Sequence, residues 1–428
     1  MKRQLAILLS GILLAACGGG GGGGGGGDTA GSSDTELASY LEDKKMEGAL
    51  GDCVRREAAA SGWTSPEEVT ALDCSYSSLY YAPMTLEGIE GFVNLEELYV
   101  HPTREFLATD EPVQGGIHST EPLRSLGKLR VLVLMYQQIG ELSLPERCTL
   151  ETLDVSTNPL ASIDAVARCK SLQSLGMAAT DVTDLSPLEG LLALEMLDIS
   201  VNDVHDLSPL SSTTGLKRLF MDYLGASYST GAQYAEDQEI VLPEFFGDFT
   251  GLEYFSARSM YIANLSLLHG AKGLVYLDLG SSKLQASVLL PFTQLRYLFL
   301  SKASVSDIEY LAGLTELEIL DLSEIEFVER SRYSWSFLGN LDGLQQLALA
   351  NSGFDNIYTL LDMDALELVT LENADIENLA LLADLPSLSG IHLGINGLDY
   401  YERSTCEQIQ DLKALRSDIA IDYGASCE

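Results

Sequence analysis

LEMLDISVNDVHDLSPL, residues 194–210, decides how the rest of the chain is read. It opens with Leu194, Leu197 and Ile199 in the spacing LxxLxL, passes through Asn202 and Val204, and closes on Leu207, Ser208, Pro209 and Leu210 before the pattern restarts at Leu216. Residues 172–188 read LQSLGMAATDVTDLSPL, so the same tetrapeptide falls 22 residues earlier at the same phase. Self-similarity at a fixed period of roughly 20 to 29 residues signals a repeat architecture and outranks any local helix or strand assignment.

Elementary chemistry explains the spacing. Residues around the second leucine form a short strand with alternating side chains, which predicts Leu197 and Ile199 on the core face and Met196, Asp198 and Ser200 toward solvent. Asn202 suits a turn because its amide can bond backbone groups that have left the ladder, and Val204 returns to the core. Ser208 then reads as a helix N-cap, with Pro209 at the first helical position. No single copy buries its own apolar face, so stability comes from stacking on neighbours.

The first leucines of successive motifs are Leu72, Leu95, Leu129, Leu150, Leu172, Leu194, Leu216, Leu252, Leu274, Leu295, Leu317, Leu344, Leu366 and Leu388. Seven of the thirteen intervals are 22 residues, and the long ones follow Leu95, Leu216 and Leu317. Insertions at 102–118, 223–243 and 324–335 are expected along one edge, where they could frame a binding surface.

This spacing, the returns at 182–188 and 204–210, and the opening LEGIEGFVNLEELYV at 86–100 resemble the internalin-type subclass of bacterial leucine-rich repeat proteins. The resemblance covers roughly residues 72–398. It implies an α/β leucine-rich repeat solenoid, curved, with a parallel sheet on the concave face and short helical or irregular convex returns; adhesion or surface interaction is the function it suggests. The chain departs from the pattern at the turn, where Asn158, Asn202 and Asn396 alternate with Gln137, Thr180, Ser282, Ala303, Ser352 and Ala374. The asparagine ladder is therefore interrupted.

Residues 1–17 read as a targeting segment. Lys2 and Arg3 precede an apolar run too short to span a bilayer, and Leu14-Ala15-Ala16-Cys17 follows. This resembles the lipobox of bacterial lipoproteins and implies lipidation of Cys17. Gly18 after the cysteine resembles the outer-membrane sorting pattern, with surface and periplasmic faces both open. Ten glycines, 18–27, lead into a tether ending at residue 33 that holds the domain roughly 20 Å from the lipid. Beyond it the expected order is a helical N-terminal cap at 34–71, repeats at 72–400 and a C-terminal cap at 401–428.

Of the seven cysteines, six remain after Cys17, and Cys53, Cys74, Cys148, Cys169, Cys406 and Cys427 fall into three pairs 21 residues apart. Stacked repeats bring such positions within disulfide range, so three bridges are expected, two of them closing the caps. No CxxC spacing supports a zinc site.

The chain carries 63 acidic and 25 basic residues, a formal net charge of −38. That surface repels nucleic acid and anionic lipid, leaving the lipid anchor as the membrane contact, and favours cations or basic partners. No enzyme motif survives its context: Ser125 and Lys128 match SxxK on a return rather than in a cleft, and His101, His118, His205, His269 and His392 show no HExxH spacing. Only His101, Asp110 and His118 could meet. No catalytic residue, metal or cofactor is expected.

Outward positions of the sheet carry more information. Arg218, Tyr254, Tyr276 and Tyr297 occupy one column over four successive motifs, and Phe220, Asp278 and Phe299 contribute to the next. With Arg258 they predict an aromatic patch on the concave face, of the composition that dominates protein interfaces. Cross-strand aromatics also stabilise sheets without any ligand. Asp154, Asp198 and Asp321 read as general acidic surface. A protein partner is the expectation, extracellular polysaccharide binding or a periplasmic scaffold the alternatives.

Overall fold

The computed structural model describes residues 35–46, 48–76, 85–103, 116–225, 239–328, 335–374, 376, 378–394 and 403–423. The leader, the tether and Cys17 lie outside them, as do Asp110, Asn396, Cys427, most of the first two insertions and half of the third. Two units divide the chain: Met1–Thr213 with Ser227–Ala232, and Thr214–Ala226 with Gln233–Glu428.

The first unit begins with helices α1 (Glu36–Asp43) and α2 (Ala49–Ser61). Thr35 caps α1 by accepting the Ala38 N–H at 3.1 Å, and α2 stops where Gly62 adopts φ 74°, a left-handed C-terminus natural to glycine. Leu37, Leu41, Leu50 and Val54 form their buried faces. Strands β1 (Ala71–Asp73), β2 (Glu97–Val100), β3 (Val131–Leu134), β4 (Thr152–Asp154), β5 (Ser174–Gly176) and β6 (Met196–Asp198) then pair in order, all parallel. Register places Leu72, Leu98, Leu132, Leu153, Leu175 and Leu197 side by side, each fully buried. Each leucine so buried contributes about 1.5–3 kcal/mol, which is why three-residue strands suffice.

The second unit contains β7 (Arg218–Phe220), β8 (Glu239–Ile240), β9 (Tyr254–Ser256), β10 (Tyr261–Ile262), β11 (Tyr276–Asp278), β12 (Lys283–Gln285) and β13 (Tyr297–Phe299). It continues with β14 (Ser304–Ser306), β15 (Ile319–Asp321), β16 (Glu326–Phe327), β17 (Gln346–Ala348), β18 (Leu368–Thr370), β19 (Gly390–Gly394), helix α3 (Arg403–Leu415) and β20 (Ala420–Tyr423). Its main-sheet order is β7-β9-β11-β13-β15-β17-β18-β19-β20, so among the described residues the main sheet has fifteen strands, six in the first unit and nine in the second. Shorter sheets, β8 with β10 and β12-β14-β16, follow the turns.

The turn itself is uniform. Tyr136, Thr157, Ala179, Val201, Tyr223, Ser259, Ser281, Lys302, Glu324, Asn351 and Asn373 all have φ between 53° and 61°, and each stands one residue before the asparagine position. The left-handed kink is therefore kept where asparagine is lost. Asn202 donates through Nδ2 to the carbonyls of Met177, Ile199 and Ser200. Where Ala303 and Ala374 replace it, the backbone N–H alone closes the turn onto Leu300 and Leu371.

Three local expectations are corrected. The returns after β5 and β6 are 3₁₀ turns, Ser186–Leu188 and Ser208–Ser212, and Ser208 is not the cap. Asp206 takes that role, accepting the Ser208 N–H at 2.8 Å, as Asp184 does for Ser186. Asp154 and Asp198 are not acidic surface: each is 2% exposed. Their carboxylates fold back over the strand end to accept the N–H of Ser156 and Ser200, both at 2.9 Å. Asp154 also leans over Gly176, where a Cβ would lie 2.7 Å from its carboxyl carbon. Met196 and Ser200 are buried as well, so the outer face of β6 is not solvated.

Disulfides join Cys53 to Cys74, tying α2 to the end of β1, and Cys148 to Cys169 between consecutive repeats, with Cα separations of 5.4 and 4.9 Å. Cys406 in α3 is also disulfide-bonded.

Candidate functional site

Parallel register builds the site in the second unit. Strands β7, β9, β11, β13 and β15 bring Arg218, Tyr254, Tyr276, Tyr297 and Ile319 into direct pairing, all half-buried. The Arg218 guanidinium lies 5.2 Å from the Tyr254 ring centre. Tyr254 and Tyr276 stack at 5.8 Å with 26° between planes, and Tyr276 meets Phe299 at 5.3 Å. Electron-rich ring faces hold both the guanidinium and their aromatic neighbours.

The expected stack of three tyrosines is thereby revised to a ladder, Arg218–Tyr254–Tyr276–Phe299. Tyr297 turns aside: its hydroxyl donates to Glu318 Oε2 at 3.4 Å, and Arg296 lies over its ring at 5.5 Å while bonding Glu318 at 2.7 Å. Phe220 is not on the outward surface, being 2% exposed.

Beneath the ladder lies a charged network that sequence reasoning missed. Asp222 Oδ1 accepts the Ser256 hydroxyl at 2.6 Å and the Arg258 N–H at 2.8 Å. Arg258 donates from Nη1 to Asp278 Oδ2 at 2.8 Å and from Nη2 to Ser301 Oγ at 3.2 Å, while its buried Nε has no hydrogen-bond partner among the described residues. Gly280 makes room, since a Cβ there would lie 3.0 Å from the guanidinium carbon. Burial pushes the Asp278 carboxyl up to about 7; Arg258 opposes the shift and Asp222 adds to it. Burial also raises Asp222, and burial followed by the two nearby carboxylates raises the Tyr276 hydroxyl. Asp278 was legible as a column member and Arg258 as a neighbour of the patch, but nothing in spacing linked them to Asp222.

A second cluster also escaped the sequence. On β2 and β3, Tyr99 and Val131 pack against Val133, Met135 and Tyr136, the last three no more than 8% exposed. Valine and methionine at outward positions look unremarkable singly, so only register assembles them.

No metal centre forms among the described residues. His101 bonds Ser75 and the Pro102 carbonyl, whereas His118 lines a shallow groove with Glu87, Glu90 and Glu121. Lys128 reaches Asn94 Oδ1 at 2.6 Å.

No family model matches the chain, and no curated protein does. Among solved structures it is similar to an internalin, InlF, from Listeria monocytogenes, with TM-score 0.63 and 22% identity over 86% of this chain and 98% of that one. A leucine-rich repeat protein of Leptospira interrogans aligns with TM-score 0.55 and 16% identity, covering 85% and 98%. The fold is a leucine-rich repeat solenoid. The functional domain of InlJ from Listeria monocytogenes, described as including a cysteine ladder, aligns with TM-score 0.50 and 17% identity over 84% and 80%. At these identities the solenoid likeness concerns architecture, and function rests on the site.

Proposed function

We propose that this solenoid is a non-enzymatic, lipid-anchored protein of the bacterial cell envelope that binds a protein partner through the outward face of its second unit. The observation that carries the reading is the half-exposed ladder Arg218–Tyr254–Tyr276–Phe299, with Tyr297 and Arg258 beside it. Tyrosine and arginine on a preformed scaffold contribute contact area at low entropic cost. Internalin-type architecture supports adhesion or surface interaction, and the lipobox-like sequence ending at Cys17 supports outer-membrane anchoring. The acidic surface argues against nucleic acid.

Affinity capture from envelope extracts with the full chain, beside a Tyr254→Ala/Tyr276→Ala variant of unchanged circular dichroism, tests the site. Partner protein retained by the native chain and lost by the variant is expected; equal capture by both overturns it. The stacked Tyr254–Tyr276 pair also suits a sugar ring, and captured glycan in place of protein would favour that reading. Fatty-acid labelling lost on Cys17→Ser tests the anchor.

A further inference from the structure

The ladder lies among carboxylates that the described cations of this face only partly neutralise. On the sheet face and its flank, Arg258 is paired with Asp278, Arg296 with Glu318 and Lys302 with Glu324. Arg218 is spent against the Tyr254 ring. Glu253, Asp321, Glu367 and Glu372, from the repeats that open at Leu252, Leu317 and Leu366, have no ion pair among the described residues. The first and third are exposed, the other two half-buried. Among the described residues Asp321 uses only Oδ1, accepting the Ser323 N–H at 2.9 Å.

Building on the reading of this face as a protein-binding surface, we propose that its partner is a basic protein segment, lysine- and arginine-rich, laid across the strands from Tyr254 toward Glu372. The chemistry is already present twice within the chain. Arg218 at one end and Arg296 near the other each place a guanidinium against a tyrosine, at 5.2 and 5.5 Å. A partner's cation meeting the exposed ring faces and the four unpaired carboxylates gains cation–π contact and Coulomb attraction together. An acidic segment would meet like charge at each of these four carboxylates. The net charge of −38 steers a basic partner toward the molecule, and the ladder selects this face over the rest of the surface.

Fluorescence anisotropy of a labelled deca-arginine peptide with the full chain tests this, with deca-glutamate as the counter-probe. Asp321→Asn/Glu367→Gln/Glu372→Gln removes three charges from the face. Glu42→Gln/Glu141→Gln/Glu189→Gln removes three exposed charges from the first unit. The face variant is expected to bind deca-arginine about tenfold more weakly, the control variant within about twofold of the native chain, and deca-glutamate not at all. Equal losses in the two variants, or no loss in the face variant, would overturn the inference, because attraction would then belong to the whole acidic surface. The earlier proposal fails separately. If captured partner protein depends on Tyr254 and Tyr276 but is indifferent to the three face carboxylates, the binding surface stands and its basic partner does not.

Discussion

At the residue scale the most telling positions are those whose side chains oppose their backbone. Val201 is β-branched yet sits at φ 58°, where Cβ approaches the following carbonyl oxygen. Val201→Asn, a residue that tolerates this region, is expected to stabilise the protein by about 1 kcal/mol in urea denaturation; a loss of stability would mean that Val201 contributes packing that outweighs its strain. Asp278 gives a pH signature. An unfolded aspartate titrates near ~4, whereas burial holds Asp278 at about 7 in the fold, so between those values the native state binds the extra proton. Its contribution to stability therefore falls as pH rises from about 4 to about 7 and levels off above. Asp278→Asn keeps an oxygen for the Gly280 N–H and abolishes the titration. Urea melts at about pH 5 and about pH 8 should show a smaller stability difference for the variant than for the native chain. An unchanged difference would place the titration elsewhere.

At the scale of the element, strands of three residues and 3₁₀ returns are too short to stand alone, so order comes from cross-repeat ties. The Cys148–Cys169 bridge closes a 21-residue separation between neighbouring repeats. Cys148→Ser/Cys169→Ser is expected to cost about 3 kcal/mol, read as a lower denaturation midpoint; no change would mean that stacking already restrains this loop. Strand positions were legible because LxxLxL writes them directly, as the continuous burial of Leu153, Leu175 and Leu197 confirms. The starts of the returns were not. Ser208-Pro209 carries a capping signature, yet Asp206 supplies the acceptor, because a carboxylate two residues ahead of an N–H closes the turn more directly. Likewise, Asn202 was readable as a turn residue, but the left-handed residue before it has no shared identity among the repeats and appears only in the dihedral angles.

For the whole molecule, 63 acidic residues against 25 basic impose self-repulsion on the folded state. Raising salt shortens the screening length from about 10 Å near 0.1 M to about 3 Å near 1 M, so the melting temperature is expected to climb with sodium chloride; a flat response would show that the charges are spaced beyond mutual reach. What the sequence alone determined is whatever repeats: the 22-residue period, the buried leucine columns, the spacing of the cysteines and the outward columns bearing Arg218, Tyr254, Tyr276 and Tyr297. Periodicity suffices there because each repeat meets its neighbours in the same register. Tertiary structure alone decided how side chains turn within those columns. Tyr276 leans to Phe299 while Tyr297 turns to Glu318; Phe220, Asp154 and Asp198 are buried where alternation pointed outward; and Asp222 joins Arg258 and Asp278 across three strands. These choices depend on rotamers, on the space left by Gly176 and Gly280, and on hydrogen bonds between residues 20 to 36 positions apart, none of which a one-dimensional pattern specifies.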